Sequence, residues 1–134
     1  MPIVIPLSYM GVLFILASIP DTGDTTTTLD HLLALVPPTV QNLLHIPAYG
    51  LLVLLWLSVL RTHGMAERRS LYVALPLALA FGGITELYQV CVPGRVSSIL
   101  DFLFDTAGIV SFVWLYQLVQ LQDVFGSVKR LFHA

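Results

Sequence analysis

Three close-spaced pairs and one arginine hold most of the chemistry legible in this sequence. His45 and Tyr49 stand four residues apart, Glu86 and Gln89 three apart, and Asp101 and Asp105 four apart, with Arg95 between the last two pairs. On helices, spacings of three and four put each pair on one face. The set offers three kinds of chemistry. The Arg95 guanidinium could make a two-pronged contact to a phosphate or a carboxylate. The oxygens of Glu86, Asp101 and Asp105 suit Mg, Ca or Mn, and the His45 nitrogen widens the choice to zinc. A carboxyl that keeps its proton could serve as a general acid, with His45 as base. No Gly-x-Ser-x-Gly, no His-Glu-x-x-His and no phosphate-cradling loop accompanies them. No residue is therefore assigned a catalytic role, and the metal and any cofactor stay unassigned.

Several of these residues also have plainer readings. Asp101 can be a first-turn acid favoured by the helix dipole, with Ser97 or Ser98 as N-cap. Gln89 can join helices by hydrogen bonding. His45 and Tyr49 can be an ordinary interfacial pair, and Arg95 a structural partner of Glu86 or Asp101. Cys91 reads as a small packing residue, and Gly82, Gly83 and Gly108 as places of close helix approach. Glu86, flanked by apolar turns, and Asp105, a turn deeper than Asp101, are not covered by such accounts.

The elements that must position these groups follow from composition. The 134 residues are 57% hydrophobic and 10% charged, with a mean hydropathy of +0.87. A soluble domain is about 45–50% apolar and about 25% charged, so a soluble globule of this size would expose a greasy surface. A disordered chain would be polar. A disulfide scaffold needs more than the single Cys91. A net charge of −2 with six Lys plus Arg excludes nucleic acid as a partner. The composition points to a small integral membrane protein.

A membrane helix takes roughly 20 mostly apolar residues, and about four such stretches are present: Ile3 to Ile19, Leu43 to Leu60, Leu71 to Val92, and Ile99 to Leu121. The expected fold is an all-α membrane protein, a four-transmembrane-helix bundle forming a single domain over residues 1–134. The first span has no Lys or Arg before it, unlike a secretory signal, and reads as an uncleaved anchor. Ala17 and Ser18 nevertheless keep cleavage open. A longer outer loop follows from Pro20 to Asn42. Within it, Leu29, Leu32, Leu33 and Val36 mark a short amphipathic helix with Asp30 and His31 opposite, ended by Pro37 and Pro38. From Gln122 to Phe132, Val124, Phe125, Val128, Leu131 and Phe132 form the apolar side of an amphipathic tail on the inner leaflet, where Lys129 and Arg130 meet anionic lipid.

Basic residues set the orientation. Arg61, Arg68 and Arg69 follow the second span, and Lys129 and Arg130 lie in the tail. These segments belong on the cytoplasmic side of the plasma membrane, so both termini are expected to be cytoplasmic. His45 and Tyr49 then open the second helix from the outer side, Glu86 and Gln89 close the third, and Asp101 and Asp105 open the fourth. The polar residues converge in the outer half of the bundle. A carboxylate at the bilayer centre costs several kcal/mol, so the acids should face the bundle interior or an outer cavity. Three carboxylates there would repel unless Arg95, protonated His45, a metal ion or a retained proton relieved them.

With that pattern in place, LLHIPAYGLLVL followed by AFGGITELYQVCVPGRVSSILDFLFDTAGIV resembles the VanZ-like membrane proteins. In that family a His and a Tyr four apart open one helix, and a Gly-rich helix carries Glu-x-x-Gln. A Gly-Arg link and Asp-x-x-x-Asn-x-x-Gly follow. The matching residues are His45, Tyr49, Glu86, Gln89, Gly94, Arg95, Asp101 and Gly108, within about Leu43 to Val113. Gln41 and Asn42 stand where the family often has Asp-Lys, and Asp105 stands at the family's Asn position. The carboxyl adds an acceptor and a possible negative charge.

The resemblance implies a cell-envelope role, and the family's namesake is associated with resistance to the glycopeptide teicoplanin. Three readings follow. The first is an outward-facing site (His45, Tyr49, Glu86, Gln89, Arg95, Asp101, Asp105) that binds or modulates membrane lipid, a lipid-linked envelope precursor or a glycopeptide, with Arg95 on phosphate. The second is a membrane enzyme, metal-dependent or acid/base, acting on an envelope lipid in the same cavity. The third is a structural polar cluster with no ligand. Transport ranks below these, because the inner halves of the spans offer no polar route. The sequence assigns neither ligand nor oligomeric state.

Overall fold

The computed structural model describes residues 1–20, 35, 37–95 and 98–132. Among them are four helices and no strand: α1 (Val4–Ala17), α2 (Pro38–Thr62), α3 (Glu67–Gln89) and α4 (Ile99–Phe132). The amphipathic helix expected within the outer loop, with Asp30 and His31, lies outside the described residues, as does Ser97.

Three segments are long and apolar enough to cross a membrane: Thr39–Thr62, Glu67–Gln89 and Ile99–Gln120. The first helix falls short of the expected span. Its 14 residues reach about 21 Å at 1.5 Å per residue, against a hydrocarbon core of about 30 Å. The expected C-terminal tail continues the fourth helix. α4 runs without a break to Phe132, since a single glycine, Gly126, weakens a helix without ending it. The tail's side chains lie outside those described.

The three longer helices start or stop for local reasons. Pro38 opens α2 at a position where a missing N–H costs nothing. Gly64 and Gly94 take φ of 83° and 78°, the left-handed conformation that lets the chain reverse tightly after α2 and after α3. Ser98 caps α4, its Oγ accepting the Leu100 N–H at 3.1 Å.

Contacts between the helices give their directions. Tyr49 meets Thr85 and Arg61 meets Glu67, so α2 and α3 are antiparallel. Glu86 meets Ser98 and Gly83 faces Phe102, so α3 and α4 are antiparallel neighbours, as the short link between them requires. His45 meets Asp105, Ile46 faces Gly108 and Gly50 faces Phe112, so α2 and α4 run parallel. The α2–α4 pair is the most extensively packed in the bundle.

Glycine makes that closeness possible. A Cβ on Gly108 would collide with the Ile46 carbonyl, and one on Gly50 with the Phe112 ring. Below this contact Leu52, Val53, Leu57, Ala74, Ala78, Ile109 and Val113 fill the core. Large apolar residues such as Leu51, Ile84, Leu87, Val110 and Trp114 remain on the outside, as expected where the surroundings are lipid tails.

Candidate functional site

The start of α2, the end of α3 and the start of α4 meet at one end of the bundle, opposite the basic turn that holds Arg61, Arg68 and Arg69. The central contact joins α2 to α4. His45 Nδ1 lies 2.8 Å from Asp105 Oδ1. An ionised carboxylate only accepts, so the His45 Nδ1–H donates, and in the neutral ring Nε2 keeps its lone pair. The two partners differ in access: the His45 side chain is 26% exposed and that of Asp105 is 0% exposed.

Asp105 Oδ2 is buried without a hydrogen-bond partner. It lies 3.0 Å from where a Cβ on Gly82 would stand, beside Tyr49. The missing side chain at Gly82 thus makes room for the carboxylate against α3. One turn outward, Asp101 Oδ1 is likewise buried and unpartnered.

From α3 comes Glu86, which is buried. Its Oε2 accepts the Ser98 N–H at 3.1 Å, so its carboxylate sits on the N-terminus of α4, where the helix dipole favours negative charge. His45, Glu86 and Asp105 each present one ligand-type atom, and these atoms all lie within 4.8 Å of one another.

Beneath this group the Tyr49 ring stacks parallel to His45, with centroids 6.1 Å apart and planes at 7°. Its hydroxyl is 2.7 Å from Thr85 Oγ1. The Thr85 hydroxyl also reaches the Gly82 carbonyl at 2.8 Å and the Phe81 carbonyl at 3.1 Å. Its one proton goes to the helix backbone, so Tyr49 O–H donates to Thr85. Gln89 is buried one turn beyond Glu86.

A family model described as VanZ/LLP1 matches residues 4–120. The chain belongs to the VanZ/LLP1 family. No curated protein and no solved structure matches it. Together with the three apolar helices of spanning length, family membership makes this a VanZ-like membrane protein, as the motifs around His45 and Glu86 imply.

In this VanZ-family chain the fold brings His45, Tyr49, Glu86, Asp101 and Asp105 to one end of the helix bundle. Arg95 departs from expectation. Among the described residues the carboxylates in contact with a basic side chain are Asp105, with His45, and Glu67, with Arg61, so Arg95 does not neutralise a carboxylate. Its Nη2 instead donates to the Leu16 carbonyl at 3.2 Å. Leu16 lies in the last turn of α1, whose carbonyls carry the negative end of the helix dipole and draw a cation.

Two contributors have no clear mark in the sequence. Thr85 looks like one more small residue in a membrane helix, and only the fold shows its hydroxyl under Tyr49. The Ser98 backbone N–H has no side-chain signature at all. Gly82 is legible as a site of close approach, though the group that approaches is a carboxylate.

Proposed function

We propose that this VanZ-family chain is a multi-pass plasma-membrane protein that binds the headgroup of a cell-envelope lipid or lipid-linked precursor at the His45–Glu86–Asp105 end of its bundle. Both termini would lie on the cytoplasmic side, with the site facing outward. The observation that carries this reading is the wholly buried Asp105 paired with a part-exposed His45 beside buried Glu86. Ionisable groups in a membrane bundle are costly and mark functional sites. A bundle needing only stability would do as well or better with apolar residues there. The part-exposed edge of His45 offers a headgroup a way in, and the lipid-facing helices place its tails alongside.

The family resemblance makes teicoplanin susceptibility the cellular readout of this function. The molecular test is native mass spectrometry of the detergent-extracted protein, with phosphatidylglycerol and a polyprenyl phosphate as probes. His45→Ala and Glu86→Gln should keep the folded yield and lose retained lipid. Equal lipid retention by folded parent and variants would count against a headgroup site.

A further inference from the structure

We propose that His45, Glu86 and Asp105 bind one divalent transition-metal ion of the zinc or manganese class. The proposal rests on reading this cluster as a ligand site, and it names the chemistry of what is held there.

Three observations converge. The donor atoms come from three different helices and lie within 4.8 Å of one another. Asp105 is 0% exposed, yet its Oδ2 has no partner. That oxygen lies over Gly82, one turn before Glu86 on the same face of α3. A buried carboxylate oxygen is normally hydrogen-bonded, so an unpartnered one facing the helix that supplies a second carboxylate is suited to ligating a cation.

Charge leads to the same place. The two ligand carboxylates with a neutral imidazole carry two negative charges, which one divalent ion offsets, and Asp101 one turn outward adds a further negative charge that favours a cation. Arg95, the nearby alternative, is held at the end of α1. The donor set decides the class of ion. One imidazole nitrogen with two carboxylate oxygens suits zinc or manganese. Calcium takes six to eight oxygens, and magnesium keeps several waters in octahedral geometry.

The geometry is within reach of closure. Ligand atoms about 2.0–2.2 Å from a tetrahedral ion stand roughly 3.3–3.6 Å apart. The 2.8 Å contact is the Nδ1–H···Oδ1 hydrogen bond, which leaves His45 Nε2 and the unpartnered Asp105 Oδ2 as donors, and the limit of 4.8 Å for the whole set is longer than a closed site needs. Side-chain rotation at part-exposed His45 and at Glu86 spans the difference. A bound cation would also let a phosphate headgroup approach two carboxylates that would otherwise repel it.

The test uses the full chain in detergent, stripped with a chelator, then titrated with Zn²⁺ by calorimetry and with Mn²⁺ by electron paramagnetic resonance. One equivalent should bind. Glu86→Gln and Asp105→Asn, which keep side-chain shape, should each weaken binding at least tenfold. A Glu67→Gln control, at the opposite end of the bundle beside Arg61, should change it less than threefold. Failure of the folded parent to bind either ion stoichiometrically, or unchanged affinity in both folded amide variants, overturns the proposal. If either variant fails to fold, imidazole nitrogen coupling in the parent's Mn²⁺ spectrum decides, its absence overturning the site. Lipid retained by stripped protein that takes up no metal removes the metal and leaves the headgroup reading. Stoichiometric metal uptake with no phosphatidylglycerol or polyprenyl phosphate retained supports the metal and removes the headgroup reading.

Discussion

Asp105 is wholly buried, and its two oxygens have opposite fates: Oδ1 receives the His45 Nδ1–H at 2.8 Å, while Oδ2 rests over Gly82 without a partner. This asymmetry makes Asp105→Asn informative. The amide oxygen still accepts from His45, and the second position has no hydrogen bond to lose. We expect a folded bundle within about 1–2 kcal/mol of the parent, since hydrogen bonds between membrane helices are individually modest. Asp105→Ala should cost more, about 2–4 kcal/mol, because it leaves a cavity and strands the His45 donor. Unfolding titrations in mixed detergent micelles would rank the variants. An amide less stable than the alanine would contradict the arrangement.

The α2–α4 contact makes a sharper prediction about stability. Alanine favours a helix over glycine by about 0.8–1.0 kcal/mol, so propensity alone predicts that Gly108→Ala stabilises. Sterics predict the reverse. The new Cβ would collide with the Ile46 backbone carbonyl, which cannot rotate away as a side chain does. The clash should win, pushing α2 from α4 and lowering folded yield severalfold. Gly83→Ala is the matched control. Its Cβ would meet the Phe102 ring at 3.8 Å, an ordinary contact, so it should be neutral or slightly stabilising. Size-exclusion yield and melting temperature of the two variants separate propensity from packing.

These two sites also mark how far the sequence can be read. The helices are legible because an apolar run of about 20 residues matches the thickness of a bilayer core, and charge scarcity locates the polar end. Close approach at Gly82 and Gly108 can be anticipated from residue type. Which helix does the approaching cannot. The parallel α2–α4 pair joins elements far apart in sequence, and no local pattern encodes it. The pairing reading of Arg95 fails for a related reason: a guanidinium among three carboxylates can pair with one, but the backbone carbonyls at the end of α1 are invisible in a sequence. Composition also overstates the length of α1, because Ile3, Ser18 and Ile19 continue its apolar run without joining its helix.

Arg95 should therefore behave as an anchor for α1. Its hydrogen bond to Leu16 is exposed, so Arg95→Ala should cost no more than about 1 kcal/mol. The Phe14–Tyr88 ring contact at 4.6 Å keeps α1 docked elsewhere. Hydrogen exchange should speed up in the last turn of α1 and remain unchanged around His45 and Asp105. Arg95→Lys should restore part of the protection, since it keeps the charge and loses the fork. Loss of retained lipid with unchanged exchange in α1 would instead return Arg95 to headgroup recognition.

Tyr49→Phe isolates the layer beneath the cluster. It removes the 2.7 Å bond to Thr85 and keeps the ring stacked on His45. Thr85 loses an incoming donor and still bonds the Gly82 carbonyl at 2.8 Å, so no donor is stranded. The expected cost is about 0.6–1.7 kcal/mol. Thr85→Val should cost at least as much, because it leaves the Tyr49 hydroxyl buried without an acceptor. A double-mutant cycle between the two would measure the bond itself, and a coupling near zero would exclude it.

Topology can be tested with what the chain already carries. Cys91 is the single cysteine and is exposed, just past the end of α3 and on the same side as the cluster. The basic residues Arg61, Arg68 and Arg69 lie at the opposite end, and basic loops stay on the cytoplasmic side. A membrane-impermeant maleimide should therefore label Cys91 in intact cells. In a Cys91→Ala background, His63→Cys in the basic turn should react only after permeabilisation. The reverse pattern would place the His45–Asp105 pair toward the cytoplasm. It would also sever the cluster from any outer-leaflet headgroup, whatever the pair's geometry, so this labelling should precede the lipid and metal measurements.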